Sequence, residues 1–241
     1  LIKSSGGNFY FLNFVSSLLF VIPLLKFCST LSRPYLAILI SYPYLITVIG
    51  LGTIRQSIAI AFLLICINEL KKYKFYNFYF LKFFSILFHY SSSIFFFLPF
   101  IVDLKKRKNF RIIRNALYVV FFVFIFCVLF IENNYFKYQL HLYSGYNPIS
   151  ITSPLFVWFM IAIPAANILL NYKYFKDDDD NKFWRNYSII GILMLFLIFV
   201  NNVISLRLLL YFLPIKIYSF SKLPELKILK ISHKYIYLTI I

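Results

Sequence analysis

The run Gly50-Leu51-Gly52-Thr53-Ile54-Arg55-Gln56-Ser57-Ile58-Ala59-Ile60-Ala61-Phe62, followed by the basic turn Lys71-Lys72-Tyr73-Lys74 and then by Phe88-His89-Tyr90-Ser91 inside a second apolar run, decides how this chain is read. It places an arginine at one end of an apolar helix, Ile54–Leu70, and a histidine in the middle of the apolar stretch 75–102. Ionisable side chains are costly in lipid, so each is a functional candidate until a structural role accounts for it. Thr53 stands where a helix cap is expected, after the Gly50–Thr53 turn.

The surrounding composition fixes the class. Of 241 residues, 61% are hydrophobic and 14% charged, with mean hydropathy +0.80. Soluble domains carry about 25% charged residues, so this is a membrane chain. The net charge of +17 does not point to nucleic acid, because Lys and Arg fall in short loops between apolar runs, as topology signals do. Basic loops of this kind face anionic membrane lipid. Cys28, Cys66 and Cys127 lie far apart in or beside apolar segments and are expected to be buried thiols, with no zinc or redox spacing among them. No signal-peptide pattern opens the chain at Leu1, and an apolar run closes it at Ile241. Residues 1–241 are therefore expected to form a single integral membrane domain, an internal piece of a longer protein.

Topology follows from charge. A single crossing over 75–102 would be about 42 Å long, beyond the roughly 30 Å hydrocarbon core. It would also put the basic clusters 71–74 and 105–108 on opposite sides, against the positive-inside tendency. A break at His89-Tyr90-Ser91, with Ser91 capping a second short helix, gives a hairpin with both basic ends inside and His89 at its outer tip. The other expected spans are 9–27, 34–49, 54–70, 112–131, 154–170, 187–201 and 206–218. The fold expected is all-α, a polytopic membrane helix bundle of about nine segments including the hairpin. Fifteen Lys and Arg then lie in inner loops, while the outer segments 1–8 and 132–153 hold one each, Lys3 and Lys137. The Asp177–Asp180 run, flanked by Lys176 and Lys182, reads as a solvated inner loop.

Sixteen residues separate Arg55 from Lys71, and seventeen separate Lys72 from His89, about 24–26 Å of helix each. Both reach the outer level, and Arg207 falls at the outer turn between the last two spans. For Arg55 two readings stand: snorkelling to headgroups, or a bidentate clamp on phosphate, with Gln56 adding a hydrogen bond. Ser57 and Ala61 suit close helix packing. His89 is either a packing residue or a general base on a hydroxyl. Arg207 with Tyr211 serves interfacial anchoring or ligand contact. All acids except Glu132 fall on the inner side, so neither a two-carboxylate glycosidase site nor an acidic metal site is available at the outer face.

G-x-x-x-I-R-Q-x-x-A at Gly50, L-F-H-Y-S at Leu87 and R-L-x-x-Y-F at Arg207 resemble the EpsG-like family of exopolysaccharide polymerases, relatives of the Wzy-type polymerases, from about Gly6 to Pro214. The family's N-terminal outer motif with Asp and Tyr has no counterpart here. The resemblance implies a multi-pass enzyme of the bacterial cytoplasmic membrane, a glycosyltransferase joining polyprenyl-pyrophosphate-linked oligosaccharide units on the outer face for exopolysaccharide, capsule or O-antigen synthesis. It implies no cofactor and no metal, with other polysaccharide-assembly membrane proteins as partners. Arg55 and Arg207 would hold pyrophosphate and His89 would activate the acceptor hydroxyl, with Gln56, Tyr90, Ser91 and Tyr211 binding substrate. The alternatives are an O-antigen ligase-like transferase and a flippase or transporter of lipid-linked sugars. The transporter would want polar groups near the midplane and paired broken helices. A non-catalytic membrane scaffold is a further alternative.

Overall fold

The computed structural model describes residues 9–50, 52–101, 152–172, 179–200 and 202–225, and every element among them is helical. Helix α1 spans Phe9–Cys28, and α2 spans Pro34–Ser41 and continues as a π-helix over Tyr42–Gly50. Pro43 brings no N–H to that stretch, so the ordinary i to i−4 ladder is interrupted and the wider register follows. Helix α3 is Ile54–Lys71 and α4 is Phe75–Phe88.

Apolar residues all round a helix mark it as central. Helix α3 fits this: Ile58 to Ala61, Leu63, Leu64, Cys66, Ile67 and Leu70 are all buried, and it packs between α1 and α4. Ser57 and Ala61 are buried, as expected of a close helix contact. Phe62 stacks on Phe84 and Phe88, zipping α3 to α4. Helix α1 shows the opposite pattern. Tyr10, Phe14, Leu18, Ile22 and Leu25 form an exposed apolar stripe, while Phe20, Leu24 and Phe27 face the core. In water such a stripe would be a liability; beside lipid tails it is the ordinary outer surface of a span.

Two local expectations are corrected. Thr53 occupies the N-cap position of α3, but its hydroxyl donates back to Ile49 O at 3.2 Å and caps nothing. Ser91 does not cap a helix either. Helix α4 ends at Phe88, His89 is extended (φ −152°, ψ 110°), and a 3-10 helix runs over Tyr90–Phe97 before the short α5, Leu98–Ile101. Three consecutive serines, whose hydroxyls compete for backbone partners, favour such a departure from α-geometry. The rings of Tyr79 and Phe96, on either side of the break, lie 4.8 Å apart.

The second half comprises α6 (Thr152–Leu170), α7 (Asp179–Leu193), α8 (Leu195–Val200), α9 (Asn202–Leu209), a 3-10 turn at Leu210–Phe212, α10 (Pro214–Lys222) and a last 3-10 turn at Leu223–Glu225. Helix α6 packs on α7, α9 and α10, and α10 also contacts α2. Gly191 permits the closest approach: a Cβ there would meet Ile215 Cδ1 at 3.0 Å, Ile161 Cγ2 at 3.2 Å and Phe212 Cδ1 at 3.3 Å. Buried polar groups tie the helices together, with Trp158 donating to Ile192 O, Asn167 to Ser219 Oγ, and Tyr187 to Tyr211 O.

Four stretches among the described residues are long and apolar enough to cross a membrane: Tyr10–Cys28, Thr152–Leu170, Lys182–Phe199 and Asn202–Lys222. That is fewer than the nine segments expected. Pro34–Gly50 and Phe75–Phe88 are apolar but short, the expected span 54–70 within α3 is not among the four, and the expected span 112–131 lies outside the described residues. The loop expected over 173–185 is curtailed, because α7 already begins at Asp179. The architecture is an all-α, multi-pass membrane helix bundle.

Candidate functional site

The residues singled out in the sequence come from three parts of the chain, and the fold brings them to one place. Arg55 is the second residue of α3 and is exposed. The next residue, Gln56, is buried and donates from Nε2 to the backbone carbonyl of Arg207 at 2.9 Å, across 151 residues of sequence. This bond fixes the start of α3 against α9 and leaves Arg207 half-buried beside it. His89 sits opposite, in the break after α4. Both guanidinium charges bear on its imidazole.

The histidine is held on several sides. Its N–H donates to Ser85 O at 3.1 Å, and its carbonyl accepts from Ser92 N–H at 3.0 Å. Its Nδ1 lies 2.6 Å from Ser91 Oγ, and Ser91 Oγ lies 3.5 Å from Tyr211 Oη. When the Ser91 hydrogen turns to Tyr211, the imidazole proton sits on Nδ1 and Nε2 keeps its lone pair; when it turns to His89, Nδ1 is the acceptor. Tyr90, which is 68% exposed, lays its ring parallel to the imidazole at 5.6 Å and 6°.

His89 lies outside the helices, and burial first, then Arg207 and Arg55, hold its imidazole below the usual histidine range. It is therefore neutral at physiological pH and able to take up a proton. Tyr211 is fully buried in the 3-10 turn, its ring 5.0 Å from that of Phe95. Its hydroxyl lies beside the Ser91–His89 pair, away from the surface.

One residue was missed in the sequence. Lys82 is 0% exposed, with Nζ 3.4 Å from Ser85 Oγ and 5.6 Å from the Phe95 ring centroid. It appears in the sequence only as an interruption of an apolar run. Its spacing to Ser85 on one face of α4, just before His89, was the available signal. Burying an ammonium without a carboxylate costs several kcal/mol, so its presence calls for a reason. Cys28 and Cys66 are buried free thiols, as expected, and Cys66 Sγ lies 3.7 Å from Phe78 O; Cys127 and Glu132 lie outside the described residues.

The EpsG family model matches residues 1–241, the whole chain. The protein belongs to the EpsG family. No curated protein and no solved structure matches it. EpsG membership and the long apolar helices together give it a polysaccharide-related function in a membrane. In this EpsG protein the two arginines, the imidazole and their buried supports form a cationic face with a neutral base in its midst.

Proposed function

We propose that the protein is a polysaccharide polymerase, a glycosyltransferase that joins polyprenyl-pyrophosphate-linked oligosaccharide units at the outer face of the bacterial cytoplasmic membrane. Arg55 and Arg207 grip the pyrophosphate, whose paired oxygens match the guanidinium fork. The acceptor sugar hydroxyl attacks the anomeric carbon of the donor, forming the new C–O bond. The bond from that carbon to the pyrophosphate oxygen breaks, and the pyrophosphate leaves with the electron pair. His89 Nε2 takes the hydroxyl proton, and the two arginines stabilise the charge on the leaving group.

The observation that carries this reading is the convergence of two guanidinium charges on one neutral imidazole, in a chain of the EpsG family. The Gln56 bond to Arg207 O supports it, because it keeps two like charges together at the cost of their repulsion. The charge asymmetry of the loops supports the outer level: the turn after α3 is basic, and Arg55 and His89 each lie about one helix length from it. The break at His89 acts in this reading as a hairpin whose tip presents the base, Ser91 and Tyr90 to the substrate.

The test uses a strain making surface polysaccharide, with its gene deleted and complemented by wild type, Arg55→Ala, His89→Ala or Arg207→Ala at matched expression. Single units accumulating on the outer face in every variant are expected. Long chains of normal length would overturn the catalytic assignment. Lipid-linked units trapped on the inner face would replace it with transport of lipid-linked sugars.

A further inference from the structure

We infer that Lys82 is a positioning residue, its buried amino group closing the base of the turn that carries His89. The inference deepens the reading of His89 as the base and rests on it for its bearing on catalysis.

Lys82 touches the turn on both sides. Before His89 stands Ser85, whose hydroxyl lies 3.4 Å from Lys82 Nζ and donates to Ala59 O of α3 at 2.9 Å. The Ser85 carbonyl receives the N–H of His89. After His89 stands Phe95, whose ring faces the same amino group at 5.6 Å. Phe95 in turn lies against Tyr211, and Tyr211 closes the path back through Ser91 to His89 Nδ1. The contacts form a ring of six residues with the imidazole at one pole and the amino group at the other.

A hydrophobe of equal length would fill the same volume. It would offer neither a donor to Ser85 nor a polar N–H group to the Phe95 face. No carboxylate pairs with Lys82 among the described residues, and Cys66 of α3 is its remaining ionisable neighbour. The amino group is thus committed to neutral groups that bracket the turn. Its spacing on α4, with Lys82 and Ser85 three residues apart on one face and the helix ending at Phe88 just before His89, is what lets one side chain reach both limbs.

The experiment is nitrogen-15 NMR of histidine-labelled full-length protein in lipid nanodiscs, with the His89 signal assigned by its loss in His89→Gln. The groups bearing on that imidazole are Arg55 from α3, Arg207 from α9, Tyr211 and Ser91 through their hydroxyls, and the ring of Tyr90. In Lys82→Met the Nδ1 hydrogen-bond signature is expected to weaken. The titration midpoint is expected to rise by about half a unit or more, as the ring moves into water and away from the arginines.

Polymer formation in the same variant is expected to fall about tenfold or more, with half-saturating donor concentration unchanged. Phe95→Leu, which removes the ring but keeps the bulk, is expected to shift the His89 signal in the same direction, and it decides the matter should Lys82→Met not fold. A His89 signal unmoved in the folded variants would overturn the positioning role. Polymerisation that survives His89→Ala would overturn the base reading alone, since the NMR result stands apart from it.

Discussion

The two ends of α3 are both polar, and they are built on opposite terms. At the end beside the Lys71–Lys74 turn, charge meets its complement. Lys72 lies 3.7 Å from Glu69, and Asn77 donates to the same carboxylate at 3.0 Å. At the other end Arg55 and Arg207 bear on His89, and no carboxylate joins them among the described residues. A paired, exposed end is complete in itself and contributes little to stability. The other end is cationic and kept together by a buried amide on a backbone carbonyl, and in the proposed mechanism an anionic substrate completes it. On that reading the contrast separates a helix terminus that merely ends from one that binds.

The strongest way to break that contrast is Arg207→Ala, expected to lower polymer formation in membranes by about 100- to 1,000-fold, as loss of a group on the leaving charge does. A loss under tenfold would make the two ends equivalent. Arg55→Lys keeps the charge and loses the fork, and about a tenfold fall is expected in the same assay. Gln56→Leu leaves the Arg207 carbonyl without its partner. It is expected to destabilise the purified protein by about 1–3 kcal/mol in thermal unfolding.

A subtler probe is pH. In the proposed mechanism the imidazole acts as a base only when neutral, so activity is expected to be lost as pH falls through its folded pKa, which lies below the usual histidine value. Arg207→Gln removes a like charge and should raise that pKa, moving the acid limb of residual activity to higher pH by up to about one unit. The smallest effect belongs to the paired end. Glu69→Gln should change unfolding by less than about 1 kcal/mol and leave chain length as in wild type.

Much of this was legible in the sequence because it follows from local rules. An apolar run bounded by a basic turn gives α3 and its length, and an overlong apolar stretch interrupted by His89 and three serines gives the break. Arg55 and His89 were brought to one level by counting residues back to one turn, and Arg207 joined them through its place at the turn between the last two spans. Other features depend on which neighbour a side chain finds. Ser91 has the chemistry of a cap, and only the packed turn shows its hydroxyl between His89 and Tyr211. Thr53 stands at the cap position, yet Ile49 O is the acceptor within its reach. The segment count fell short where Pro34–Gly50 and Phe75–Phe88 are short for a crossing and where a 3-10 stretch stands in place of a second α-helix after the break; the span 112–131 lies outside the described residues. Lys82 was hidden because sequence spacing gives a face without saying that the face is closed.

The turn between α3 and α4 reverses the chain in a few residues, with Tyr73 at φ 57° and Lys74 N–H reaching back to Glu69 O at 3.0 Å. So short a connection leaves the two helices no slack against each other. One residue added to either helix would advance the far end by about 1.5 Å and swing it by about 100°. Arg55 or His89 would then face away from the other while every apolar contact near the turn stayed in place. The turn therefore acts as a phase lock, and this family can be expected to tolerate substitution along α3 and α4 far more readily than a change in the number of residues between the arginine and the histidine.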